Sequence, residues 1–136
     1  MNQDQNGTPA RDDRVRQRLR DLLDNTELAA RLVARGRSAY EADEALRLAS
    51  ESILTRLGEC VDRIDKVDPN FVRDHPELEL RQVKDSRNVL AHGYDIVDYS
   101  LVWAILETNI PAVAASVRHL LAEPRLTSFA TVHPGW

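Results

Sequence analysis

The sequence predicts an all-α fold, an antiparallel up-and-down bundle of four to five helices, on three observations. Charged residues make up 29% of it and aromatics only 5%, a balance that favours helices over a sandwich or barrel of short strands. Apolar residues recur at steps of three and four along most of the chain, the period of an amphipathic helix. The breaks between these stretches are short, so consecutive helices pack most economically as antiparallel neighbours. A length of 136 residues with 43% hydrophobic content suits one domain with a core of ordinary size. That domain is expected over residues 11–123.

Residues 1–10 are polar, contain Gly and Pro and carry no periodicity, so a disordered N-terminal tail is expected there. From about Asp12 to Ala34, Val15, Leu19, Leu22, Leu23, Ala29, Ala30 and Val33 keep a helical beat, and Gly36 supplies a stop. The second helix is the clearest: Ala42, Leu46, Ala49, Ile53, Leu57, Cys60 and Ile64 form one stripe about six turns long. Cys60 falls in that stripe and reads as an inert core thiol. Gly58 costs the helix roughly 1 kcal/mol relative to alanine, which suggests a close contact with another element rather than a break.

Asp68-Pro69-Asn70 and His75-Pro76 bracket a connecting piece, FVRDH, expected to be a single turn or brief helix. A third helix is expected from about Leu78 to His92, with Gly93 as its left-handed cap. The fourth starts near Asp98 or Ser100, either of which suits an N-cap, and runs through Val102, Ile105, Leu106, Ile110, Val113, Val117, Leu120 and Leu121. Pro111 should kink it by removing a hydrogen bond and crowding the preceding turn. Residues 124–136 contain two prolines and no sustained pattern, and read as a C-terminal tail.

Composition narrows the function classes. A formal net charge of −4 argues against gripping nucleic acid with the whole surface, which needs many unpaired cations, so any RNA or nucleotide site must be local. The single cysteine excludes an internal disulfide, the N-terminus lacks the apolar run of a signal peptide, and no stretch approaches the length expected of a membrane span. A soluble, cytoplasmic protein is expected. The histidines His75, His92, His119 and His133 fit no metal-ligand spacing. No metal or cofactor is implied.

One stretch carries chemistry. Leu80, Val83, Leu90 and Ala91 share a face of the third helix, and Arg87 projects from the middle of it. A second face carries Arg81, Asp85, Asn88 and His92. Arg87 and His92 diverge by about 140° on an ideal helix, so one copy cannot easily present both to a small target. Either the helix unwinds at Gly93 or two copies meet. Arg87 has Val83 and Ala91 at i±4, hence no acid on its own helix, and its compensation is expected from a phosphate or another chain. Taken singly, each residue has a plainer role. The arginine can be a buried ion pair or run its stem to solvent, the histidine can cap a helix, and the tyrosine can be core. Their joint occurrence with Asn88 and Gly93 in eight residues points further.

The string Arg87-Asn88-Val89-Leu90-Ala91-His92-Gly93-Tyr94 resembles the Arg-x4-His-x-Tyr motif of the HepT toxins, within the HEPN superfamily of small helical proteins. LGECVDRID at 57–65 and HPELELRQVKDSRNVLAHGYDIVDYSLVWAILETNIPAV at 75–113 are similar to that family's second half, including the proline of the fourth helix. The similarity covers most of residues 12–122. It implies a HEPN-like bundle, a two-fold homodimer, a metal-independent endoribonuclease of a type VII-like toxin–antitoxin module, and an MntA-like minimal nucleotidyltransferase as antitoxin. It also implies that Tyr94 receives AMP from that partner, silencing the site.

The residues suit that chemistry. RNA supplies its own nucleophile, the 2′-hydroxyl. His92, with an ordinary pKa of about 6.5, can move the proton. Arg87 can fork onto the non-bridging phosphate oxygens with a charge that does not titrate. Asn88 can hold the imidazole or a phosphate oxygen. A dimer that sets two such helices side by side would converge two copies of each, making the stripe around Arg87 partly an interface. Two other readings stand beside this one: a non-catalytic HEPN nucleotide-binding or helper subunit of a nucleotidyltransferase, and a helical interaction protein whose motif merely caps a helix.

Overall fold

The computed structural model describes residues 3–90 and 96–123, with side chains from Pro9 onward. The described residues form an all-α bundle. The first helix, α1 (Gln3–Val33), begins inside the segment expected to be a disordered tail and takes in Pro9. Its buried stripe of Val15, Leu19, Leu22, Thr26, Ala29 and Leu32 repeats at three and four. Thr26 sits in that stripe at no cost in hydrogen bonding, because its hydroxyl donates to the Leu23 carbonyl at 2.7 Å. Gly36 ends the region with φ of 93°, a backbone conformation that favours glycine.

A short helix, α2 (Arg37–Ala42), follows that the periodicity does not announce. It exists to deliver one side chain. Tyr40 is 1% exposed and packs on Trp103 with ring centroids 4.9 Å apart. Next comes α3 (Glu44–Val67), capped by Asp43, whose carboxylate accepts from the Ala45 N–H at 2.9 Å. Leu54, Leu57, Val61 and Ile64 of α3 are fully buried. Cys60 is buried beside them, and burial pushes its thiol up from its ordinary pKa, as an inert core thiol requires.

The expected brief helix is present as α4 (Phe71–Asp74), with Phe71 stacked on His75 at 4.3 Å. The third predicted helix is shorter and more broken than expected. Pro76–Leu78 form a 3₁₀ turn, and Glu79 takes a left-handed conformation with φ of 57°. The α-helical part, α5, spans only Leu80–Asp85. From Ser86 to Leu90 the chain tightens into a 3₁₀ helix. Ser86 marks the change, its hydroxyl donating back to the Val83 carbonyl at 2.6 Å. The cap expected of Gly93 lies outside the described residues.

Helix α6 (Tyr99–Ala122) is capped by Asp98, which accepts from the Leu101 N–H at 3.1 Å. Pro111 is accommodated by a wider turn: Ile105–Asn109 are π-helical, with the Ile110 N–H donating to the Ile105 carbonyl. The extra residue lets the chain absorb a position that can supply no N–H. Contrary to the sequence expectation, α6 is long and apolar enough to cross a membrane by length and composition alone. In the bundle, Val102, Trp103, Leu106, Ile110, Val113 and Val117 of this helix enter the core.

Long-range contacts fix the directions. Arg16 of α1 donates to the Leu121 carbonyl at the end of α6, at 2.6 Å, and Glu27 pairs with Arg118 at 3.0 Å. Higher numbers on α1 meet lower numbers on α6, so the two run antiparallel. Lys84 meets Asp65 while Arg87 meets Asp62, which sets α5 and its 3₁₀ extension antiparallel to α3. The tail expected over residues 124–136 lies outside the described residues.

Candidate functional site

The two structural edges of the site are the 3₁₀ helix Ser86–Leu90 and the start of α6 at Tyr99. His92 and Tyr94 fall in the sequence between them and lie outside the described residues. Arg87 and Asn88 are described.

Leu80 and Val83 are 1% and 3% exposed, and Val89 and Leu90 pack partly on the core, so the apolar face read from the sequence is the inner one. Arg81, Asp85 and Asn88 are exposed, as the second face requires. Over Ser86–Leu90 the chain advances by about 120° per residue instead of the 100° of an ideal α-helix. Among the described residues, the departure from α geometry begins at Ser86, before the motif arginine.

Arg87 crosses from this helix onto α3. Its stem lies against Gly58 so closely that a Cβ there would sit 2.2 Å from Cδ, 2.3 Å from Nε and 2.8 Å from Cγ. Gly58 is therefore the close helix contact its cost implied, and the group that fills the notch is the motif arginine. Beyond the glycine, Nη2 of Arg87 reaches Oδ2 of Asp62 at 3.2 Å. Nε donates to the Lys84 carbonyl at 3.4 Å. The expectation that a phosphate or another chain compensates Arg87 is thus corrected, because Asp62 of the same chain does so. The acid stands on the neighbouring helix α3, beyond the reach of i±4 spacing on one helix.

Asp62 is itself shared. Its Oδ1 lies 3.4 Å from Nζ of Lys84, which also pairs with Asp65 at 3.0 Å. The ammonium's pKa is raised by these contacts, Asp65 first and Asp62 second. Arg87 keeps 30% of its side-chain surface exposed. A guanidinium has five N–H donors; with Nε on Lys84 and one Nη2 hydrogen toward Asp62, at least three remain without partners among the described residues. Next to this cluster, Arg73, Arg81 and Lys84 line an open groove of about 400 Å³ together with Asp65 and Asp85.

On the other edge, the Tyr99 hydroxyl donates a short hydrogen bond to the Glu51 carboxylate. That bond, followed by burial, holds its phenol up at about 12. Tyr40 donates to the Tyr99 carbonyl at 2.9 Å and shares a hydrogen bond with Ser50 at 3.2 Å, so α2 and α3 together pin the first turn of α6. Sequence reasoning named neither Asp62 nor the Tyr40–Tyr99–Glu51 group. A signal for Asp62 existed: Gly58 and Asp62 stand four apart on one face of α3, a gap followed by an acid.

Comparison with characterised proteins and with solved structures gives no match. A family model described as ribonuclease HepT-like matches residues 22–120, from within α1 to the last turns of α6, and takes in both edges of the site and the motif between them. By that match, spanning most of the bundle, the chain belongs to the HepT-like ribonuclease family.

Proposed function

We propose that this chain is a metal-independent endoribonuclease toxin of a type VII-like toxin–antitoxin module, working as a cytoplasmic homodimer. The observation that supports it most is Arg87, whose stem is seated on α3 while its guanidinium stays partly exposed, with donors that have no partner among the described residues. An arginine kept only for stability would gain by spending those donors inside the fold. Here they suit a phosphate.

In this reading the 2′-hydroxyl oxygen of RNA attacks the adjacent phosphorus and the bond to the 5′-oxygen breaks. His92 moves the proton, as general base toward the 2′-hydroxyl or general acid toward the leaving oxygen. Arg87 stabilises the charge that grows on the non-bridging oxygens, and Asn88 holds the imidazole or one of those oxygens. The products carry a 2′,3′-cyclic phosphate and a 5′-hydroxyl. An MntA-like minimal nucleotidyltransferase silences the site by transferring AMP from ATP to the Tyr94 hydroxyl, with pyrophosphate leaving. The new phosphodiester brings a negative charge that Arg87 pairs with in place of substrate.

The test is RNA cleavage in EDTA with analysis of the product ends. Arg87→Ala should lose about 10²–10³ in rate and His92→Ala about 10²–10⁴, both with unchanged helical content. Full activity in His92→Ala would remove its assigned role. For the switch, intact mass after incubation with partner, ATP and magnesium should rise by AMP-sized steps, and Tyr94→Phe should abolish the rise.

A further inference from the structure

The contacts around Arg87 ask more of α3 than family membership does. Gly58 and Asp62 lie one turn apart on the same face of α3, and the arginine uses both: the stem occupies the space of the missing Cβ and the guanidinium ends on the carboxylate. Asp62 is in turn restrained, because its second oxygen faces Lys84 and Lys84 is held by Asp65. Arg87 is thus fixed at three points, the glycine notch, the Lys84 carbonyl and Asp62, rather than swinging on a flexible stem. Fixing a long side chain before substrate arrives removes rotamer entropy from the binding step and sets where the donors point.

We propose that Gly58 and Asp62 are positioning residues for Arg87, a cradle on α3 that orients the guanidinium toward the scissile phosphate. The proposal rests on the ribonuclease reading above. Asp62 does not touch RNA. It engages one edge of the guanidinium and leaves the other edge for two phosphate oxygens, the bidentate geometry that makes arginine more than a point charge. An aspartate that merely balanced charge would be replaceable by any arrangement that kept the fold. One that orients must keep both its position and its hydrogen-bonding capacity.

The experiment uses the full chain and two readouts. The first is the Arg87 Nε–H signal in proton–nitrogen NMR, assigned by its absence in Arg87→Lys. In the wild type it should be resolved and slow to exchange, and in Asp62→Asn and Gly58→Ala it should shift and exchange faster, because the side chain is no longer held on its course past the Lys84 carbonyl. The second is single-turnover cleavage of RNA across a range of protein concentrations. Asp62→Asn should lower the maximal rate by about 10–100-fold, the scale of a misplaced catalytic group, with the half-saturating concentration within about twofold. Asp62→Glu, which keeps the charge, should recover part of the loss.

Unchanged maximal rate in Asp62→Asn overturns the proposal, and so does tighter RNA binding with wild-type rate, which would make Asp62 a competitor of the phosphate. Failure of the wild type to cleave any RNA sinks the ribonuclease reading instead, and the Arg87 signal still reports whether the cradle holds.

Discussion

Arg87 and Gly58 each make sense only through the other. A glycine in the middle of a 24-residue helix gives up about 1 kcal/mol of helix propensity, and an arginine in an apolar stripe must bring its charge to solvent or to a partner. Seating one on the other resolves both, with Asp62 at the end of the reach. The prediction for Gly58→Ala follows from opposing magnitudes. The alanine gains about 1 kcal/mol of helix propensity, but its methyl displaces the arginine stem and breaks a half-exposed ion pair worth about 0–1 kcal/mol. Urea unfolding should place the variant within about 1 kcal/mol of the wild type, while RNA cleavage falls sharply. Destabilisation well beyond that would mean that backbone, not the arginine, fills the notch.

The elements on either side of the motif differ in what holds them. Upstream, a 3₁₀ helix rests on α3 through Arg87; downstream, the first turn of α6 is pinned by Tyr40 and by the Tyr99–Glu51 hydrogen bond. That bond makes Tyr99 a poor acceptor for AMP, since its hydroxyl is engaged, and leaves Tyr94 as the proposed one. It also has a consequence in alkali. A phenol held at about 12 in the fold and near 10 unfolded binds its proton more tightly when folded. Its contribution to stability is therefore fully present below pH about 10 and is lost as pH rises through about 12. Titrating tyrosinate absorbance should show a late step that Tyr99→Phe removes, and the variant's stability should depend less on pH over that interval. An unchanged late step would assign it to Tyr40, whose phenol burial also raises. Much of this architecture was legible beforehand. Spacing gave the long stripes of α1, α3 and α6, the FVRDH turn and a cap at Asp98 or Ser100, of which the structure takes Asp98, because these depend on local period and local hydrogen bonds. Periodicity could not show the left-handed Glu79, the tightening at Ser86 or the widened turn before Pro111, since each changes backbone angles without changing which residues are apolar. Helix α2 escaped because a single buried tyrosine makes no period.

At the scale of the whole molecule the open question is how many chains make one site. The chain's formal charge of −4 confines RNA to local cationic surface, and the groove near Lys84 is of mixed charge, with Arg73, Arg81 and Lys84 set among Asp65 and Asp85. With Asp62 compensating Arg87 inside the chain, the case for a dimer rests on family resemblance and on the benefit of two converging motifs. Mixed dimers decide it. If the groove is built across a two-fold axis, with the arginine of one copy serving the histidine of the other, a dimer of one Arg87→Ala chain and one His92→Ala chain retains one complete pair. Co-expression at equal levels assembles about half of all dimers as such hybrids, each with one of two pairs intact, so roughly a quarter of wild-type cleavage should return from two inactive parents. Hybrids isolated with two different affinity tags should show about half. If each chain instead joins its own Arg87 and His92, neither copy in the hybrid is complete and the mixture stays as inactive as its parents, even where light scattering finds a dimer. That result would leave the dimer without a part in the chemistry and return the site to a single chain.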